Sequence, residues 1–355
     1  MPEVTVDTNV KEPQPLPESD PVSRRPRFAE SHGLVSAMAF IVFAIVAAVL
    51  VPQVVSDPYQ LRLAVNSAGI GILALSVGFL VRQLGLVSFG HAAYFGGSGY
   101  LIAIVLDHTS VSTLVAVLVA VAGSTVIASI AGALIVRLSG ITFAMLTLAI
   151  GQALFIVATK WRTVTGGFDG TPVSTRGSLF GLSSIDLSNG AKSWYFAWTC
   201  LALMIGMLWL VARSRFGRVL LTIRENEERA RFCGVRTYWY RLATFTLSGF
   251  VAGVGGAVYA LHQGFVSPDL LFWTNSGNAL VMSVIGGTGS LAGGPVGAFA
   301  YSFAQDATSS VTDRWQLIVG LAFIVVVVAF PAGIAGIGRL VKPLALRVWS
   351  RRDHS

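Results

Sequence analysis

Eight apolar runs, each about as long as a membrane-crossing helix, limit what this chain can fold into more than any other feature. A hydrocarbon core of ~30 Å takes roughly 20 apolar residues in helical form. The runs lie near residues 34–55, 61–81, 86–106, 112–136, 139–159, 194–212, 242–262 and 315–336. Only 12% of the residues are charged, against about 25% in soluble domains. The pattern predicts an all-α polytopic membrane protein with no large water-exposed domain.

A ninth stretch, 276–305, is interrupted by Gly286, Gly287, Gly289, Gly293, Gly294 and Pro295. Basic residues decide how to count it, because Lys and Arg are retained on the cytoplasmic side. Two short spans, 276–288 and 291–305, raise the total to about ten, some short or broken, with both termini cytoplasmic. That arrangement puts 19 of the 25 Lys and Arg inside. A single span would instead strand Arg339, Lys342, Arg347, Arg351 and Arg352 outside. The expected organisation is therefore a disordered cytoplasmic tail over 1–33, a transmembrane domain over 34–338 and a basic cytoplasmic tail over 339–355, in the cell membrane. The net charge of +8 divides into +9 inside and −1 outside. It reads as an orientation signal, and no nucleic-acid partner is expected.

Two connections are longer than a turn. Residues 160–193, outside, carry the turn formers Gly166, Gly167, Asp169 and Gly170; Asp169 either shapes an outer vestibule or stabilises a turn. Residues 213–241, inside, are rich in arginine. Within them FGRVLLTIRENEERARFCG (216–234) repeats Val219, Leu220, Ile223, Ala230 and Cys233 at roughly helical spacing. Arg224, Glu225, Glu227, Glu228, Arg229 and Arg231 form the polar surface. Such an amphipathic helix fits three uses: lying on lipid, solvating a connection, or docking on a soluble partner. Three acids among the arginines weigh against a purely lipid-surface role.

Chemistry at membrane depth is scarce. Every Asp, Glu, Lys and Arg falls at or near a span end, which leaves no relay or catalytic group of the kind that intramembrane ionisable residues supply. His91, within GLVSFGHAAYFGGSGY, is the one ionisable candidate inside a run, either as a packing element or in a transport path. Ser88, Gln152 and Asn278 are polar within apolar runs, and interhelical hydrogen bonding explains them as well as substrate contact does. No GxxxxGK[ST] is present, so no P-loop hydrolyses nucleotide here. Cys200 and Cys233 have no metal or disulfide spacing. No catalytic residue, metal or cofactor is expected in this chain. The glycine clusters at 96–99 and 286–289 point to broken helices, tolerated in membranes only where they are buried or line a polar cavity.

Four blocks carry a resemblance. GLVSFGHAAYFGGSGY (85–100), GITFAMLTLAIGQALFIVATKWRTVTGGFDG (140–170), FGRVLLTIRENEERARFCGV (216–235) and GFVSPDLLFWTNSGNALVMSVIGGTGSLAGGPVGA (264–298) follow one another as in a known family. The chain resembles the permease subunits of ABC importers for branched-chain amino acids, of the LivM type. The resemblance implies an ABC importer permease fold, a homologous second permease subunit, two cytoplasmic ATPase subunits that hold ATP and Mg, and an extracytoplasmic solute-binding protein. It further implies that Arg224, Glu225, Glu227, Glu228, Ala230 and Gly234 form the ATPase-coupling motif. One helix over 218–234 would then meet the ATPase, with Gly234 as its C-cap. Arg82, Gln83, Arg229 and Arg231 depart from the family pattern. Import of urea or short-chain amides is the alternative within the family; a stand-alone channel or secondary carrier is the rival outside it.

Overall fold

A computed structural model of the protein describes residues 57–174 and 190–329, with isolated positions 46, 48, 50, 52, 53 and 333. Residues 1–46 form one unit, of which only Val46 is described; residues 47–355 form a second, which holds every element below. The expected tails, most of the 34–55 run and residues 175–189 lie outside the described residues.

Helix α1 (Pro58–Leu84) begins where Asp57 accepts a hydrogen bond from the Tyr59 N–H at 2.9 Å, with Pro58 in the first turn. It ends at Gly85, whose φ of 68° is left-handed. Its residues are apolar on all sides, as expected of a helix enclosed by others. It packs against α6 (Gly190–Arg213), α9 (Thr237–Gln263), α10 (Trp273–Gly286) and α11 (Gly293–Ser309). Around this centre stand α3 (Thr113–Ile135) and α4 (Gly140–Lys160). These two and α6 bury a third or less of their apolar windows and leave the rest for lipid. Together α1, α3, α4, α6 and α9 are five helices long and apolar enough to cross a membrane. The protein is an all-α polytopic membrane protein.

Two expected spans take a different form. The run 86–106 opens with a non-helical segment, 85–90, and becomes helical as α2 (His91–His108), most of which is buried. The break expected at glycines 96–99 is absent, Gly96 and Gly99 instead letting Leu271 and Ala260 pack close to the unbroken helix. The stretch 276–305 resolves into α10 and α11, joined by a turn over 287–292. A Cβ on Gly286 would stand 1.7 Å from the Gly293 carbonyl oxygen, and one on Gly297 1.8 Å from that of Met282. The two backbones touch, which only glycine permits. At 14 and 17 residues, these helices reach about 21 and 25 Å at 1.5 Å per residue, short of a full crossing. The far end of α11 returns to the start of α1, where the Tyr59 hydroxyl donates to Asp306. Helix α12 (Trp315–Ala329) follows, with Phe323 stacked on Tyr301 of α11.

At the opposite end of α1 the chain leaves the bundle as α7 (Arg215–Glu225) and α8 (Glu227–Phe232). The single helix expected over 218–234 is therefore two. Asn226 departs from helical geometry (φ −159°, ψ 102°), and its Oδ1 accepts the Arg229 N–H at 2.8 Å. Asparagine is a strong N-cap, and Glu227 and Glu228 in the next turn suit the positive end of a new helix. At the end of the bundle away from α7 and α8, α5 (Arg162–Thr165) and a 3-10 turn (Gly167–Asp169) lead to β1 (Thr171–Pro172). This strand pairs antiparallel with β2 (Phe265–Val266), Thr171 opposite Val266.

Candidate functional site

Two constellations hold the polar residues singled out above. The first lies at the basic end. Arg241, in the second turn of α9, is only 3% exposed. Its Nη1 donates to Glu227 Oε2 at 3.0 Å and its Nη2 to the Leu138 carbonyl. Glu227 Oε1 also accepts from Arg231 Nη2 at 2.6 Å and from the Thr237 hydroxyl at 3.1 Å. Burial alone would raise the Glu227 carboxyl; Arg241, with hydrogen bonds from Arg231 and Thr237, outweighs it and holds the group below the usual carboxylate range. One carboxylate thus neutralises a guanidinium that would be costly to bury alone.

The rest of the loop hangs from this anchor and a second one. Arg224 Nη1 donates to the Arg82 carbonyl at the end of α1, at 2.7 Å. Ala230, 1% exposed, packs into the apolar cluster with Leu220, Ile223 and Val136. Gly234 ends α8 with φ of 80°, the Gly234 N–H reaching Arg231 O at 2.9 Å and the Val235 N–H reaching Ala230 O at 3.1 Å. That pair of bonds is a Schellman motif, which needs a left-handed residue at Gly234. Glu225, Glu228 and Arg229 face water, as does Phe232, 91% exposed. The loop is fixed on its inner side and presents charged groups and one aromatic ring on its outer side.

The second constellation is buried midway along the bundle. The Ser248 hydroxyl donates to the Ser76 carbonyl at 2.8 Å, so its oxygen accepts from His91 Nε2–H at 2.7 Å. His91 Nδ1 is then the acceptor and takes the Ser88 hydroxyl at 2.8 Å. The ring is fully buried, edge-on to Tyr94 and Phe245. The freed amides around the break are also satisfied: Phe89 N–H reaches Thr147 Oγ1 at 3.1 Å, and Ala92 N–H reaches Ser276 Oγ at 2.8 Å. Groups from α1, α2, α4, α9 and α10 meet at this junction around Ser88 and His91.

The other candidates lie apart. Gln152, on α4, is half-buried, and its Oε1 has no hydrogen-bond partner. Asn278, on α10, is half-buried. In the 160–174 segment Gly166, Gly167 and Gly170 have φ of 71°, 65° and 72° and make the sharp turns that bring β1 to β2. Thr165 binds them together, its hydroxyl donating to Ala158 O at 2.6 Å and accepting the Gly167 N–H. Asp169 is exposed at the tip.

Sequence reading missed Arg241, Thr237, Ser248, Ser276 and Thr147. Only Asn226 left a local signal, as an Asn before two glutamates.

The model for the branched-chain amino acid transport system / permease component family matches residues 59–328. The chain is 26% identical over 244 residues to the high-affinity branched-chain amino acid transport system permease protein LivM of Escherichia coli, covering 62% of this chain and 56% of that protein. Its similarity to the LivM of Salmonella typhimurium is also 26%, over 240 residues with the same coverage. It is 28% identical over 180 residues to the autoinducer 2 import system permease protein LsrC of Yersinia pestis, covering 46% of this chain and 45% of that one. The matched region thus spans about half the length of these relatives. No solved structure matches the chain. With the family model running from the start of α1 almost to the end of α12, this chain belongs to the family of branched-chain amino acid transport permease components.

Proposed function

We propose that the protein is the translocating subunit of an ATP-driven importer for branched-chain or related hydrophobic amino acids, with the basic end in the cytoplasm. The observation that carries this reading is the α7–α8 loop, secured by Arg224 to the Arg82 carbonyl and by Glu227 to Arg241. Its outward groups, Glu225, Glu228, Arg229 and Phe232, are free to meet a soluble ATPase. The inner anchors would pass a push on the loop to α1 and α9. ATP and Mg belong to the partner subunits in this reading, as do capture of solute outside and the second half of the pore. Gln152 and Asn278 are the path residues retained, Gln152 because its carbonyl oxygen still lacks a donor. The LivM relatives support the amino-acid assignment. Autoinducer 2, drawn from the likeness to the autoinducer 2 import permease LsrC, is the competing solute.

The test is reconstitution in proteoliposomes with the ATPase and solute-binding proteins that copurify with the chain. Uptake of labelled leucine that requires ATP inside is expected, with Glu228→Arg reducing it while the chain still inserts. ATP-independent uptake would overturn the importer reading; ATP-driven uptake of autoinducer 2 but not of leucine would overturn the substrate.

A further inference from the structure

We propose that the hollow between α3, α8 and α9 at the basic end binds the phosphate headgroup of an anionic phospholipid. The hollow has a volume of about 370 Å³ and is lined by Arg137, Arg231 and Arg241 and by one carboxylate, Glu227, with Thr237 and Tyr238 between them. It adjoins a second hollow of similar size that shares Arg231 and adds Arg236 and Trp239. Across the two hollows four arginines stand with one acid, Glu227, which already serves Arg231, Arg241 and Thr237. Among the described residues, neither Arg137 nor Arg236 has an acidic partner. Arg137 instead lies over the Tyr238 ring at 5.2 Å, a stack that holds its planar fork in place while leaving the N–H edges to donate. Arg137 thus lines the first hollow and Arg236 the second, each without a carboxylate partner among the described residues.

Its depth selects the ligand. Arg137 stands two residues past the end of α3 and Tyr238 one residue into α9, both helices that cross the membrane. Trp239, beside Tyr238, is 60% exposed, and Trp and Tyr collect where a membrane helix leaves hydrocarbon for headgroups. A hollow at that level, open between spans and lined with arginine, suits a lipid phosphate whose acyl chains lie along α3 and α9. Basic pockets between helices on the cytoplasmic side are suited to such headgroups, and Arg takes two phosphate oxygens at once.

The full chain, purified in detergent with whatever partners accompany it, would be exchanged into equimolar phosphatidylcholine and phosphatidylglycerol, and retained lipid counted by native mass spectrometry. Wild type is expected to retain phosphatidylglycerol preferentially. Arg137→Gln with Arg236→Gln should cut that preference by about tenfold or more, and Arg137→Lys with Arg236→Lys should keep most of it. If the double glutamine variant fails to fold, the exposed Arg236→Gln alone should still lower the preference about threefold. Equal retention of the two lipids by wild type, or an unchanged preference in the glutamine variants, would overturn the proposal. So would inorganic phosphate that displaces phosphatidylglycerol at millimolar concentration, because the site would then be one for a free anion. The readout is lipid retention, so it stands or falls separately from transport.

Discussion

Arg241 of α9 reaches a carboxylate and a backbone carbonyl; two turns further along the same helix, Ser248 reaches only uncharged partners, Ser76 and His91. The two places do the same mechanical work, holding α9 to its neighbours. They use different chemistry because water is near one and far from the other. At the basic end Glu227 keeps part of its surface in solvent, so the ion pair avoids the full cost of dehydration. In the middle of the bundle an unpaired charge would be far more expensive, and hydroxyls and an imidazole in a closed circuit join the helices instead.

The sharpest way to break this contrast is to remove the acid and leave the base. Glu227→Leu strands the Arg241 guanidinium and should destabilise the protein by about 3–5 kcal/mol. Adding Arg241→Met should restore much of the loss, measured as thermal unfolding in detergent. If the double variant is no better than the single, the charge is not what matters there. The central circuit should respond less. His91→Leu leaves the Ser88 and Ser248 hydroxyls short of one partner and should cost about 1–3 kcal/mol, without rescue by any change at Arg241.

Acid should also separate the two regions. The Glu227 carboxyl titrates below its ordinary range, so its contribution is fully present above the unfolded carboxylate pKa and fades as pH falls through the lower, folded one. Wild type should lose stability over that acid window, and Glu227→Gln should flatten that part of the curve; identical acid limbs would contradict the assignment. The smallest effect expected is at Gly234. An L-residue in its left-handed conformation costs about 1–2 kcal/mol, so Gly234→Ala should lower the midpoint modestly and loosen α8, read as faster hydrogen exchange at Cys233 to Val235.

Much of the helical fold was legible beforehand because span length is a local, additive signal. The interrupted 276–305 stretch could be read as two helices once the distribution of basic residues was added to its glycines. The extent of α2 could not, since only neighbouring side chains such as Ser276 and Thr147 show why the chain stays unwound over 85–90. At the basic end the acidic motif was visible, but its counter-charge was not. Glu227 and Arg241 are brought together by the turn at Gly234, and a pairing created by a turn has no periodicity along the chain. His91 was conspicuous for its type, whereas its role follows from Ser248, an ordinary serine in an apolar helix.

The small ribbon of β1 and β2 bears on how the molecule is built. Thr171 and Pro172 find their partners, Val266 and Phe265, only after α6, α7, α8 and α9 have been made. A ribosome delivers the chain from its N-terminus, so the segment carrying β1 must wait, its strand unpaired, until α9 has threaded the bilayer. A chain that inserted α9 backwards would carry Phe265 to the wrong face and never close the ribbon. Closing the ribbon therefore requires α9 to run in the direction that sets Phe265 and Val266 beside Thr171 and Pro172.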